Sequence, residues 1–117
     1  MFSVFLQGGL GNQLFQLFTA LAYSLRHNIK LEIPTYKWDI DTRPTYWDTL
    51  FKKLQDFKYI NENLKPGSLP RYIENGFEYK VIPKNDNFIL FGYFQSYKYF
   101  EIEYDAIMKK FGIKLLQ

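Results

Sequence analysis

Gln7–Gln13 reads QGGLGNQ and lies between a short apolar run, Phe2–Leu6, and a helical pattern. Its three glycines are Gly8, Gly9 and Gly11. Glycine tolerates positive φ and carries no side chain, so the backbone can turn sharply here and expose its amides. Asn12 and Gln13 follow at the mouth of the helix, where backbone donors and the helix dipole favour an anion such as phosphate. The sequence therefore predicts a ligand loop, with a purely structural tight turn as the alternative.

The pattern around this loop is strand, loop, helix, strand. Apolar residues recur at three- and four-residue spacing from Leu14 to Leu25, which predicts an amphipathic helix capped by Asn12 and ending near His27. Ile29–Ile33 then alternates apolar and polar residues, as a strand does. A βαβ unit with two parallel strands results, and ligands of such sheets bind at the carboxyl ends of the strands.

The second half of the chain contains another junction between a strand and a helix. Phe88–Phe94 (FILFGYF) is a near-continuous apolar run, which predicts a buried strand with a bend at Gly92. Ser96 can cap a final helix over Tyr97–Phe111. The polar candidates at this junction are Tyr93, Gln95 and Ser96, the last of which is equally explained as a simple cap.

Weaker patterns fill the rest of the chain. In order, they predict a loop at Thr35–Tyr46, a short helix at Trp47–Leu54, a weak strand at Phe57–Ile60, a turn region from Lys65 to Pro70, a helix-closing Gly112 and a strand beginning at Ile113–Leu116. The sequence shows no internal repeat or linker. We therefore expect residues 1–117 to form a single α/β domain with a Rossmann-like parallel sheet.

Composition excludes several classes of protein. Hydrophobic residues make up 47% of the 117 residues, enough for one real core. The net charge of +3 comes from scattered lysines, so no nucleic-acid partner is expected. The chain has no cysteine and one histidine, His27, which predicts neither disulfides nor a metal site. Its apolar runs fall short of the roughly 18 residues of a transmembrane span, and we expect a soluble, cytoplasmic chain.

Two common glycine-loop motifs fit the chain poorly. Gly9 and Gly11 match the first two glycines of the dinucleotide fingerprint GxGxxG, but its third position falls on Leu14. Glu32 lies about where that motif places its ribose-binding acid, so a nucleotide ligand stays open. No Gly-Lys-Ser/Thr follows the loop, which argues against a P-loop.

Two blocks of the sequence resemble one enzyme family. GGLGNQLFQ at Gly8–Gln16, followed by an aromatic and alanine-rich helix, is similar to the start of the α-1,2-fucosyltransferases, glycosyltransferase family 11. GYFQSYKYF at Gly92–Phe100 resembles the family's GYFQSEKYF, with Tyr97 in place of the usual Glu. YIENGFEY at Tyr72–Tyr79 resembles the stretch that leads into that block. The resemblance spans nearly the whole chain in the right order.

The resemblance implies a transferase that moves L-fucose from GDP-fucose to a hydroxyl of a galactoside acceptor, with inversion at the sugar carbon. It implies a two-domain GT-B-like fold, no obligatory metal and no cofactor besides the donor substrate. It also implies that the loop amides face the donor diphosphate or the fucose, and that Asn12 hydrogen-bonds a substrate. Gln13 is a further candidate of this kind.

One family signature, HxRRxD, has no counterpart in this chain. The arginines are Arg26, Arg43 and Arg71, none in that context, whereas a guanidinium is the natural clamp for a leaving diphosphate. We therefore expect an N-terminal lobe without a donor-binding half, incomplete as an enzyme. The alternatives are a non-catalytic sugar- or nucleotide-binding module and a dimerising scaffold.

A carboxylate can act as the general base for the acceptor hydroxyl. Glu74 and Asp39 are the candidates by position, and ordinary solvated surface is the alternative for each.

Overall fold

Three parallel strands form the sheet at the centre of the fold. The computed structural model describes residues 1–8, 10–34, 52–76 and 78–111. In chain order its main elements are β1 (Phe2–Val4), α1 (Leu10–His27), β2 (Arg71–Ile73), β3 (Phe88–Phe91) and α2 (Tyr104–Phe111). Residues 52–56 are helical, and 3-10 turns lie at Pro66–Ser68 and Tyr97–Tyr99. The predicted α/β class with a parallel sheet is confirmed.

The strand order is β1-β3-β2, so the third strand inserts between the first two. Val4 and Tyr72 both pair with Leu90, one from each side. On the far side of β1, single parallel bridges join Phe2 to Leu31 and Ile33 to Ile60. The segments at Leu31–Ile33 and Ile60 therefore lie on one side of β1, and β3 and β2 lie on the other side. The carboxyl ends of β1 and β3 lie side by side where the order reverses, the edge at which ligands of such sheets bind.

Helix α1 covers one face of the sheet because its apolar stripe matches the inward side chains of β1 and β3. Phe2 of β1 packs on Tyr23 of α1 with ring centroids 4.7 Å apart, and on Phe88 of β3 at 5.0 Å. α2 packs beside α1, where Phe18 meets Tyr104. Further core residues, all under a tenth exposed, are Val4, Leu17, Leu21, Leu31, Leu90 and Ile107.

The start of α1 corrects the prediction that Asn12 caps the helix. The helix already begins at Leu10, so Asn12 lies in its first turn. The Asn12 side chain accepts a hydrogen bond from Gln95 instead of from its own helix. The predicted end is confirmed, since Asn28 takes the left-handed φ of 52° that commonly closes a helix after His27.

Two later predictions also change. The strand predicted over Phe88–Phe94 ends at Phe91. The single helix predicted over Tyr97–Phe111 is split into a 3-10 turn and α2, because Phe100 leaves helical geometry with φ −133°. At this break Arg26 binds the side chain of Glu103 and the carbonyl of Tyr99.

The middle of the chain agrees with its patterns where it is described. The strand predicted at Ile29–Ile33 pairs through isolated bridges at Leu31 and Ile33, and the turn region contains the 3-10 turn. The strand predicted at Phe57–Ile60 is reduced to a bridge at Ile60, because Phe57 and Lys58 lie in a turn in which Lys58 has φ 61°. The loop at Thr35–Tyr46, the start of the helix at Trp47–Leu54, Gly112 and the strand at Ile113–Leu116 lie outside the described residues. No helix in the described ranges is both long and apolar enough to cross a membrane.

Tyr23 joins α1 to the segment that leads into β3, which gives a stability prediction. Its buried hydroxyl donates toward the carbonyls of Pro83 (2.8 Å) and Asn85 (3.2 Å) and accepts from Asn85 N (2.8 Å). Tyr23→Phe leaves these backbone groups unpaired and should lower the free energy of unfolding by about 1–2 kcal/mol in urea denaturation. Tyr97→Phe, at a residue that is 56% exposed, should leave it unchanged. Equal effects of the two variants would contradict this role.

The same hydroxyl has a defined pH dependence. Burial raises the pKa of Tyr23 above its ordinary 10.0, so the folded state favours the neutral phenol. The stability that Tyr23 adds is therefore fully present below pH 10.0 and is lost as the pH rises through the higher folded-state pKa.

Candidate functional site

Two glutamines of α1 hold the loop that follows β1. The side chain of Gln16, fully buried, pairs with the backbone of Gln7 in both directions: its Oε1 accepts from the amide (2.8 Å) and its Nε2 donates to the carbonyl (3.1 Å). One turn earlier, Gln13 Nε2 donates to the carbonyl of Gly8 at 2.8 Å. Gly8 itself has φ 82°, a conformation that glycine adopts without strain. Side-chain amides thus fix the loop at Gln7 and Gly8.

A second loop, at the carboxyl end of β3, is held by Glu74. Its Oε1 accepts from the backbone amide of Phe94 at 2.9 Å, and its own amide donates to the carbonyl of Phe91 at 3.0 Å. A Cβ added to Gly92 would lie only 2.6 Å from the Cβ of Glu74, so the two backbones approach as closely as glycine allows. Phe94 is fully buried with φ 50°, and between them Tyr93 is left 40% exposed.

The two loops meet across the sheet edge. Gln95 Nε2 donates to Asn12 Oδ1 at 2.7 Å, which joins residues 83 positions apart. The ring of Tyr93 lies over Gly8, where Cε1 would be 3.2 Å from an added Cβ, and Asn12 Nδ2 would be 3.0 Å from the same point. Asn12 and Gln13, predicted after β1, and Tyr93 and Gln95, predicted after β3, therefore belong to one cluster, which we call the amide edge (Gly8, Asn12, Gln13, Tyr93 and Gln95).

The amide edge suits uncharged hydroxyl groups better than a diphosphate. Asn and Gln side chains donate and accept, as hydroxyls do, and Tyr93 adds a partly exposed ring with a polar tip. Gln13 Oε1 and Glu74 Oε2 are buried acceptors with no hydrogen-bond partner among the residues described. A carboxylate beside the edge disfavours a second anion. In the described part of the loop, the features that still favour a phosphate are the helix dipole and the backbone amides.

Neither described arginine belongs to the amide edge. Arg26 lies near the other end of α1, about 24 Å along the helix from Leu10 at 1.5 Å per residue, and forms a bidentate ion pair with Glu103 at 2.8 and 2.9 Å. Arg71 lies over the ring of Phe91, 5.3 Å from its centroid, on the sheet face that alternation turns away from α1. The described part of the edge therefore supplies no guanidinium for a phosphate.

The remaining site predictions have separate outcomes. Ser96 is the N-cap of the 3-10 turn, since its Oγ accepts from Lys98 N at 3.3 Å. Gly11 lies in the first turn of α1 with open space around it. Gly9 and Asp39 lie outside the described residues. No cluster of three or more potential metal ligands occurs within the described ranges.

Three supporting residues were missed by the sequence reasoning. Gln16 was passed over within an apolar helix, although a glutamine on a buried stripe is itself a signal, because a buried amide needs partners. The apolar pattern predicts a strand at Phe94, whereas the strand ends at Phe91. Tyr99 is 4% exposed, and burial raises the pKa of its phenol, with the neighbouring Glu74 carboxylate adding to the effect.

Glycine substitutions distinguish the loop from the helix. Gly8→Ala forces a side chain into φ 82° against Tyr93 and Asn12, and should cost about 1–3 kcal/mol of stability. Gly11→Ala is the matched control, because no heavy atom lies within 4 Å of its added Cβ and alanine favours helix. That control should gain about 0.5–1 kcal/mol. Thermal denaturation of both variants tests the geometry, and a stabilised Gly8→Ala would contradict it.

Searches of family models, curated proteins and solved structures return no match to this chain.

Proposed function

We propose that this chain is a Rossmann-like sugar-binding lobe of the GT-B type, similar to the N-terminal part of the α-1,2-fucosyltransferases. The observation that carries the proposal is the contact between Gln95 and Asn12 at 2.7 Å. These residues belong to the two sequence blocks that resemble that family, GGLGNQLFQ and GYFQSYKYF. Two distant blocks that converge on one sheet edge, at the place where strand order reverses, support a shared site.

The chemistry of the amide edge supports a sugar as the ligand. Asn12, Gln13 and Gln95 bring neutral amides to the edge, and Tyr93 offers a partly exposed aromatic ring. A pyranose presents hydroxyls on its rim and C–H groups on its faces, which amides and an aromatic ring complement. We propose a galactoside as the sugar and GDP-fucose as the donor in the complete reaction.

A non-catalytic sugar-binding module is the second candidate. It is favoured by the charge of the described edge, where Glu74 is the ionisable neighbour and neither Arg26 nor Arg71 is present. Loss of a diphosphate needs positive charge at the developing anion, and removing one such group commonly costs a few kcal/mol of transition-state stabilisation. We therefore expect sugar binding without fucose transfer from the chain alone.

The experiment compares lactose, GDP and GDP-fucose as ligands in calorimetry or ligand-observed NMR. We expect lactose to bind weakly and Asn12→Ala to abolish that binding, because the substitution removes the amide that faces both loops. Asn63→Ala is the matched control, since Asn63 is exposed and lies outside the edge. Assay of radiolabelled fucose transfer to lactose should give no product. Binding of GDP but not lactose would overturn the sugar proposal, and binding of neither would favour the scaffold alternative.

A further inference from the structure

Glu74 is placed to organise the β3 loop instead of reacting with a substrate. One carboxylate oxygen, Oε1, is occupied by the amide of Phe94 at 2.9 Å. The other, Oε2, is buried with no hydrogen-bond partner among the described residues. A general base needs an oxygen within reach of the proton that it removes. In Glu74 one oxygen is held by a backbone amide and the other is shielded from solvent, an arrangement that suits a structural acceptor.

The contacts of Glu74 determine the path of the chain through Tyr93. The Cβ of Glu74 lies against Gly92, and its carboxylate accepts from Phe94 N. One side chain therefore contacts the residues on both sides of Tyr93. Phe94 is further held by an edge-on contact with Tyr99, at 5.3 Å and 83°. Phe94 adopts φ 50°, which a bulky residue adopts only when its surroundings impose it.

We propose that Glu74 is the positioning residue of the amide edge: by accepting from Phe94 N it holds the loop that presents Tyr93 and Gln95 to Gly8 and Asn12. It acts on a ligand only through these residues. Its effect on ligand binding rests on the proposed sugar-binding function, whereas its effect on the loop does not.

The test uses Glu74→Gln, Glu74→Ala and the matched control Glu78→Ala, whose residue is exposed in the same segment. A glutamine keeps an oxygen for Phe94 N and has an NH₂ that can donate to the Tyr99 hydroxyl, so it should restore what alanine removes. The first readout is hydrogen exchange of the Phe94 amide by ¹⁵N NMR without ligand. We expect protection within about threefold of the parent for Glu74→Gln and Glu78→Ala, and a loss of at least about tenfold for Glu74→Ala.

The second readout is the chemical-shift response of Gly8 and Asn12 to lactose. Glu74→Gln should retain this response and Glu74→Ala should lose it. If Glu74→Ala does not fold, Glu74→Met replaces it in both readouts: it keeps the length of the side chain but has no oxygen for Phe94 N, so Phe94 protection and the lactose response should still be lost. Unchanged Phe94 protection in a folded Glu74→Ala, or disruption by Glu74→Gln equal to that by alanine, would overturn the inference. If lactose does not bind the parent protein, the proposed function fails while the exchange readout still tests Glu74.

Discussion

Gly92→Ala is expected to lower the free energy of unfolding by about 3 kcal/mol. The added methyl would lie 2.6 Å from the Cβ of Glu74, far inside van der Waals contact. That Cβ is attached directly to the backbone after β2 and cannot swing aside as the end of a long side chain can. Either β2 and β3 must separate at their carboxyl ends, or the bond from Glu74 to Phe94 must break.

Gly67→Ala is the matched control for this prediction, because nothing lies within 4 Å of its added Cβ and its φ is not positive. Urea denaturation of both variants measures the effect. In Gly92→Ala we also expect the amide resonances of Tyr93 and Gln95 to move, because they lie on the displaced loop. A smaller loss of stability in Gly92→Ala than in Gly67→Ala would show that β2 and β3 do not approach each other this closely.

Gln16→Leu is expected to lower the free energy of unfolding by about 2–4 kcal/mol, although leucine is more hydrophobic than glutamine and favours helix. Gln16 is fully buried, and its amide satisfies both the N–H and the C=O of Gln7. Leucine fills a similar volume but leaves both backbone groups without partners at the start of the glycine loop. Gln16→Glu should be at least as costly, since it places a carboxylate oxygen against the Gln7 carbonyl in a buried site.

Gln55→Leu serves as the control, because Gln55 is exposed on the helical residues 52–56. Urea denaturation should show a small change for this variant and a large one for Gln16→Leu. Exchange of the Gln7 amide should accelerate in Gln16→Leu only. A Gln16→Leu protein as stable as the parent would mean that the glycine loop does not depend on this side chain.

The arrangement of strand, loop, helix and parallel strand follows from local sequence patterns. These patterns are local: they are the apolar run at Phe2–Leu6, the glycines and the helical spacing from Leu14 to Leu25. Each can therefore be recognised from the sequence alone. The strand order does not follow in this way. Placing β3 between β1 and β2 depends on the packing of Phe88 and Leu90 under α1, a contact between residues far apart in the chain.

Several residues of the amide edge can be singled out from the sequence, but their contacts cannot. Position at the ends of strands identifies Asn12 and Gln95 as candidates, since ligand sites gather there. Their direct hydrogen bond, and the role of Glu74 as a backbone acceptor, depend on how the chain leaves β3 after Phe91. The φ of 50° at Phe94 is imposed by tertiary contacts and has no local signature, so the pattern extended the strand too far.

We propose that the loops after β1 and β3 form one sugar site, and a residue-resolved ¹⁵N NMR titration with lactose tests this most directly. At about millimolar ligand, the range of weak sugar binding, we predict shifts of the amides of Gly8 and Asn12 together with those of Tyr93 and the Gln95 side chain. The amide resonances of Gly67 and Asn63 should not shift. Shifts confined to one loop, or confined to residues away from this edge, would contradict the account.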